Sequence, residues 1–459
     1  MFQIHFDKPI HIHFIGIGGI SMSGLAQILR KEGFTISGSD SKRSPLTEQL
    51  EAIGCLIRYG QREENITNDI DAVVYTAAIH PDNPEYARAC AMGIPMLSRA
   101  QLLGQMMGNY HTSVAVAGTH GKTTTTSMLS EILMLAGTDP TISVGGILKS
   151  IHGNIRVGGS DLFVTEACEY TNSFLNFAPT DSIILNVEED HLDFFRDLSD
   201  IRNSFHRFAA KTAADGAVII NADILDYQEI TEGIDAGIIT FGLHANAMYS
   251  ASDISYDAYG HPTFTLVKDQ KQAGIFSLKV PGIHNVCNAL AVIALCERLE
   301  VPEETIRKGL LAFEGTDRRF QYKGMFQGVT VIDDYAHHPT EIAATLTAAR
   351  NYPHKTIWCV FQPHTYTRTK AFLPEFARSL SMADKVVLTD IYAARETDTL
   401  GISSETLQQE IQKLGREAWY LPSFEKIQDF LKKNCVPGDL LITMGAGDVV
   451  NIGENLLKE

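Results

Sequence analysis

Residues 113–136 read SVAVAGTHGKTTTTSMLSEILMLA and place a strand, a glycine turn and a helix in direct succession. SVAVA (113–117) is short, uncharged and apolar, as a buried parallel strand should be. A helix is expected from Thr123 to about Ala136. Between them lies GTHGKTTTT (118–126). Glycines in such a turn let backbone N–H groups converge on phosphate oxygens, and the helix N-terminus adds partial positive charge. Gly118, Thr119, His120, Gly121 and Thr124 would form the cradle. Lys122 can then reach the β- and γ-phosphates, and the Thr123 hydroxyl can ligate Mg²⁺. The loop departs from the standard GxxxxGK[ST], since Val116 stands at the first glycine position.

The same alternation extends in both directions. Upstream, strands are expected at 12–17, 34–37 and 72–76, with helices at 22–31 and 98–107. Downstream, strands follow at 162–165, 182–187 and 217–221, and a helix at 285–299. Alternating hydrophobicity between 248 and 280 suggests a small antiparallel addition. The last part repeats the rhythm, with strands at 329–332, 356–361, 385–390 and 439–443. Strands alternating with helices imply parallel, doubly wound sheets. At roughly 150 residues per domain, 459 residues make about three. The expected domains are 1–107, 108–314 and 315–459, all of α/β class.

Composition narrows the function. Hydrophobic residues are 44% and charged residues 20%, enough apolar surface for a core in each domain. Lys plus Arg is 38 and Asp plus Glu 55, a formal net charge of −17. Such a chain is poorly suited to general binding of nucleic acid or anionic membrane. Seven widely spaced cysteines without a CxxC pair read as reduced thiols, and the N-terminal residues do not resemble a signal peptide. The expectation is a cytoplasmic protein, without nucleic-acid or membrane partners.

Other stretches bear chemistry. GIGGISMSG (16–24) resembles a dinucleotide fingerprint, with Ser21 at the third glycine position and Asp40 ending the next expected strand. An NAD site, a different nucleotide or tight packing are all compatible with it. TEACEY places Glu166 and Glu169 after a strand, where a carboxylate can bind Mg²⁺. NVEEDHLDFF (186–195) sets His191 among acids; Asp190 as a helix N-cap is the alternative there. DDYAHHPTE (333–341) and FQPHTYTRT (361–369) place acidic, phenolic, imidazole and guanidinium groups in strand-to-helix loops. Arg368 suits a carboxylate. In GTDRRF, Arg318 and Arg319 are either solvated linker charge or a cation for transferring phosphate.

In this order the motifs resemble the Mur ligase family over essentially the whole chain. The strand-end Glu, the later His, HNVCN (284–288) and a hinge Arg all follow the phosphate loop. The resemblance is to the alanine-adding branch. It implies an N-terminal Rossmann-like UDP-binding domain, a central P-loop ATPase-type domain and a C-terminal Rossmann-like domain. ATP would activate the lactyl carboxylate of UDP-N-acetylmuramate as an acyl phosphate, and L-alanine would attack it. Mg²⁺ (or Mn²⁺) would be the cofactor and the protein a monomer or homodimer.

The resemblance also implies residue roles. Lys122 and Arg319 would neutralise the γ-phosphate, while Thr123 and Glu166 hold one metal ion and His191 a second. His284, Asn285 and Asn288 would border the adenine. Gly16, Gly18 and Gly19 would approach the UDP diphosphate, with Asp40 near the uridine. Asp334, Tyr335, His337 and Arg368 would form the amino-acid pocket. Thr365 departs from relatives that carry Arg there, and His206 lies where several relatives carry a carbamoylated lysine, so no such modification is expected.

Rival readings are an NAD-dependent oxidoreductase, a nonenzymatic nucleotide-binding regulator, and a relative that joins a tripeptide instead of alanine. The first leaves the loop at 118–126 without a use.

Overall fold

The structure, a computed structural model, describes residues 2–76, 78–244, 246–394 and 396–458. It contains three sheets, one after another along the chain. The first has β1 (His11–Ile15), β2 (Thr35–Asp40), β3 (Leu56–Tyr59), β4 (Ala72–Tyr75) and β5 (Met96–Ser98), all parallel, in the order β3-β2-β1-β4-β5. Order reverses between β1 and β4, so the glycine loop after β1 opens at a switch point, where ligands of such sheets bind.

The second sheet holds β6 (Thr112–Ala117), β7 (Thr141–Leu148), β8 (Gly153–Arg156), β9 (Leu162–Glu166), β10 (Asp181–Ile184), β11 (Ala217–Asn221), β12 (Gly237–Phe241), β13 (Tyr249–Tyr256), β14 (Pro262–Lys268) and β15 (Lys271–Ser277). Their order is β15-β14-β13-β12-β11-β10-β6-β9-β7-β8. The expected antiparallel addition is β13–β15. A second antiparallel pair, β7 with β8, closes the opposite edge. Sequence had not signalled it, because GGILKSIHGN (145–154) is glycine-rich with no clean alternation. The third sheet holds β16 (Gln321–Phe326), β17 (Val329–Asp334), β18 (Ile357–Phe361), β19 (Lys385–Leu388), β20 (Glu417–Tyr420) and β21 (Leu440–Met444), in the order β16-β17-β21-β18-β19-β20. Only β16 is antiparallel to its neighbour.

Central strands are buried on both faces, as their unbroken apolar runs require: β11 is AVIIN and β18 IWCVF, every residue buried. The helix Ile283–Arg298 is apolar nearly all round and accordingly buried along most of its length. The first and second sheets share one continuous core. Phe34, Leu102 and Met106 belong to the same buried cluster as Phe163, Phe174 and Phe208. Phe174 stacks on Phe208 with centroids 4.7 Å apart, and burying each ring contributes about 1.5–3 kcal/mol.

The helix Arg99–Met107 lies against the 3₁₀ segment Tyr170–Asn176. Gly104 is the contact point, since a Cβ there would run into the carbonyl oxygen of Asn176. Gly104→Ala should therefore destabilise the chain by about 1–3 kcal/mol, lowering its urea midpoint. An unchanged midpoint would contradict this packing.

Candidate active site

β6 lies between β9 and β10, all parallel. Their carboxyl ends therefore open side by side and bring together the loops 118–121, 167–169 and 185–191. The loop expected to cradle phosphate leaves β6 through Gly118 (φ +147°) and enters the helix Lys122–Leu135 through Gly121 (φ +83°), both backbone conformations that suit glycine. A Cβ on Gly121 would lie 2.9 Å from Asn288 Oδ1. Asn186 fastens the loop: its carbonyl accepts from Thr119 N at 3.2 Å, its side-chain oxygen from His120 N at 2.7 Å, and its side-chain amide donates to His120 O at 3.1 Å.

Lys122 Nζ donates to Gly118 O (2.5 Å), Thr119 O (3.1 Å) and Glu169 Oε2 (2.8 Å). Burial works against the ammonium, but the Glu169 charge outweighs it and raises the pKa of Lys122, keeping it charged. Thr123 Oγ1 donates to Glu166 Oε2 at 3.1 Å, and Gly145 N donates to Glu166 Oε1 at 2.5 Å. Burial raises the pKa of Glu166.

Glu169 is buried, and its Oε1 has no hydrogen-bond partner among the described residues. That oxygen lies 3.6 Å from His191 Nε2. His191 sits at φ +53° with its ring stacked on Tyr170, centroids 4.4 Å apart. Burial lowers its pKa despite Asp190 and Glu169 beside it, so the neutral imidazole, the metal-binding form, prevails at neutral pH. The oxygens of Thr123 and Glu166 lie together, and separately a carboxylate oxygen of Glu169 lies beside His191; each pair offers donors of the kind a hard divalent cation takes.

Asp190 is not a helix N-cap; Asp197 caps the helix Leu198–Ala209. Asp190 Oδ1 instead accepts from Arg368 Nε at 3.0 Å and Nη2 at 2.9 Å, a pair joining the second sheet's loops to the third domain. Burial disfavours its charge, but Arg368 and His191 hold the carboxyl well below the usual range. Arg368 Nη1 also lies 3.2 Å from His364 Nδ1. Thr365 (φ +66°) caps the short helix Tyr366–Ala371 through its hydroxyl. These groups face a cavity of about 490 Å³ that includes His191, His364, Thr365, Arg368 and Phe372.

Neither hinge arginine is freely solvated linker charge; both are partly buried against carboxylates. Arg318 is tied into the third domain, with Nε 3.0 Å from Asp333 Oδ2 and Nη1 and Nη2 donating to Gly447 O and Gly445 O. Arg319 turns toward the phosphate loop and lines the same small cavity as Lys122, Thr123, Glu169 and His191. Asp334 fixes this hinge by accepting from Phe320 N (2.9 Å) and Ala336 N (2.7 Å); burial pushes its carboxyl up to about 6. Tyr335 lies beneath both guanidinium groups. His337 Nδ1 is 3.0 Å from Tyr335 O and 3.2 Å from Glu341 Oε2.

A further cavity of about 240 Å³ is lined by His120, Gly121, Thr124, His284, Asn285, Asn288 and Arg319. Asn288 Nδ2 donates to Asn285 Oδ1, and Asn285 Nδ2 to Pro281 O. His284 is held neutral, its pKa down to about 4, by burial and then Arg319. In the first domain, Gly16 (φ +81°), Gly18 and Gly19 lead into the helix Ile20–Lys31, and Asp40 Oδ2 accepts from Gly18 N at 2.8 Å. His206 lies apart from the cluster, its Nδ1 on Ile230 O.

Residues 11–111 match the domain described as "Mur ligase family, catalytic domain". Residues 116–296 match "Mur ligase middle domain", and 318–447 match "Mur ligase, glutamate ligase domain". The chain belongs to the Mur ligase family. It is 63% identical, over the full length of both chains, to the UDP-N-acetylmuramate–L-alanine ligase of Agathobacter rectalis. Among solved Mur ligases, it resembles the UDP-N-acetylmuramate–alanine ligase of Thermotoga maritima with a TM-score of 0.80, at 30% identity and 98% coverage of each chain. A murein peptide ligase from Psychrobacter arcticus aligns over the same 98% of each chain, with a TM-score of 0.68 and 26% identity.

Sequence had not shown how the acids link these loops. Glu169 was read only as a carboxylate able to bind Mg²⁺ and Asp190 only as a possible helix N-cap, while Glu188 and Glu341 had no role, because charges in loops are ordinarily solvated. Their signal lay in position: each is near a strand end in a motif already marked for chemistry. Lys122→Ala should abolish ATP-dependent turnover, with the circular dichroism spectrum unchanged. Near-normal turnover would contradict the phosphate-loop assignment.

Proposed function

We propose that this chain is an ATP-dependent ligase that joins L-alanine to the lactyl carboxylate of UDP-N-acetylmuramate, in peptidoglycan precursor synthesis. The observation that carries the proposal is full-length identity of 63% to an enzyme of that name. The cluster around Lys122 supports it. A carboxylate is a poor electrophile until one oxygen becomes a phosphate leaving group. A carboxylate oxygen therefore attacks the γ-phosphorus, the bond to the β-phosphate oxygen breaks, and ADP leaves. The alanine amine then attacks the acyl carbon, and phosphate departs from a tetrahedral intermediate as the amide forms.

In this scheme Lys122 and Arg319 neutralise the γ-phosphate as it transfers, work that is largely positioning and charge compensation. Gly118, Thr119, His120, Gly121, Thr123 and Thr124 cradle the phosphates. His284, Asn285 and Asn288 border the base. Thr123 and Glu166 would hold one Mg²⁺ and His191, beside Glu169, a second; when bound, these ions would offset the negative charge of the phosphates and substrate carboxylate. Gly16, Gly18, Gly19 and Asp40 receive the UDP moiety. Asp334, Tyr335, His337 and Arg368 form the amino-acid pocket, with Arg368 exchanging Asp190 for the alanine carboxylate. The domains are taken as 1–107, 108–314 and 315–459. No helix among the described residues is long and apolar enough to cross a membrane, and a cytoplasmic site fits the use of ATP and a nucleotide sugar.

Phosphate release should require ATP, UDP-N-acetylmuramate and L-alanine together. Replacing alanine by a murein tripeptide should give none. Release with the tripeptide but not with free alanine would assign the chain to the tripeptide-joining branch instead.

A further inference from the structure

Glu341 touches three parts of the site, yet the reaction above gives it no task. Its Oε1 lies 3.3 Å from His120 Nδ1 in the phosphate loop and 3.7 Å from Arg319 Nη1 at the hinge. Its Oε2 accepts from the backbone N–H groups of His337 at 3.0 Å and His338 at 3.3 Å, and lies 3.2 Å from His337 Nδ1. The bond from His338 N completes a capping box on the helix Pro339–Arg350. A glutamine fills that local role as well as a glutamate. The charge at this position faces His120, Arg319 and His337.

His120 is the bridge. Its ring lies over that of His338, centroids 4.7 Å apart, and its Nε2 is 3.5 Å from Glu188 Oε2. Glu188 in turn accepts from Thr340 Oγ1 at 2.6 Å, and His338 Nε2 lies 3.1 Å from Glu189 O. Donor atoms of His120, Glu188 and His338 come within 4.8 Å of one another, the spacing of a metal site. Both nitrogens of His338 are already engaged, however, by Glu189 O and Thr340 N. The group is better described as one imidazolium between two carboxylates from different domains.

We propose that Glu341 is a positioning residue that, through His120 and Arg319, holds the phosphate loop and hinge in catalytic register with the last domain. The proposal rests on the ligase reaction above. The groups facing His120 are Glu188 from the loop after β10, and Glu341 and His338 from the start of the helix Pro339–Arg350. Arg319 and His337 lie behind Glu341, and Lys122 on His120's own loop turns instead to Glu169. Burial alone would lower the pKa of His120; Glu341 and Glu188 reverse this and raise it to about 9. His338 is held neutral, down to about 4, by burial and then by the His120 charge. Because the pKa of His120 in place exceeds its free value, the ion pair's contribution to stability is full below about pH 6.5 and is lost as pH rises through about 9.

The test measures phosphate release by full-length wild type, Glu341→Gln, His120→Asn and the double variant from pH 6 to 9. Glu341→Gln keeps the cap but frees His120 to lose its proton earlier. Its kcat should fall about tenfold to a hundredfold at pH 8, the scale of a displaced catalytic group, with the KM for UDP-N-acetylmuramate unchanged. The ratio of its kcat to that of wild type should decline as pH rises from 6.5 to 8.5. His120→Asn should remove this slope, and the double variant should be no worse than the more impaired single one. A wild-type kcat in Glu341→Gln, a pH-independent loss, or multiplicative effects in the double variant would overturn the proposal. An inactive wild type would instead overturn the underlying reaction, so the two failures are separable.

Discussion

Parallel pairing of β6 between β9 and β10 is the constraint on which the site depends. Strands so paired release their loops from one edge. The lysine of one loop, the carboxylates of the second and the histidine of the third are thereby neighbours without being near in sequence. Lys122 and Glu169 lie 2.8 Å apart though 47 residues separate them. Two opposite charges buried this closely stabilise the site only while both are present; removing one leaves the other uncompensated, typically at a cost of about 3–5 kcal/mol. The pairing of the sheet and the charge state of the site are therefore one problem.

The third domain joins this edge through polar contacts. Asp190 holds Arg368, Glu188 holds Thr340, and Glu341 faces His120. The first two domains, by contrast, are fused through an apolar core. Polar contacts separate more readily than a continuous apolar core does, as a docking surface that must admit substrates requires. Chemistry that needs a nucleotide, an acid and an amine in one place is well served by one fixed joint and one separable joint.

Much of this was legible in the sequence. The strand, glycine turn and helix around 118–121 announced themselves because apolar run, glycines, lysine and helix formers follow one another within 24 residues. The strands 217–221 and 356–361 were visible because buried parallel strands are unbroken apolar runs. The β7–β8 pair was not, since glycines erase the alternation that marks an edge hairpin. Arg318 and Arg319 were indistinguishable in sequence; only the fold sends one to Asp333 and the other to the phosphate loop. Asp190, Glu188 and Glu341 were hidden for a different reason. The value of a carboxylate depends on which cation it meets across a domain boundary, and no local pattern records that.

A crystal structure with a nonhydrolysable ATP analogue and Mg²⁺ tests the central claim most directly. The account predicts the triphosphate wrapped by residues 118–124, its terminal phosphate against Lys122 and Arg319, and the base beside His284 and Asn288. Nucleotide density in any other cleft, with Lys122 still paired to Glu169, would contradict it.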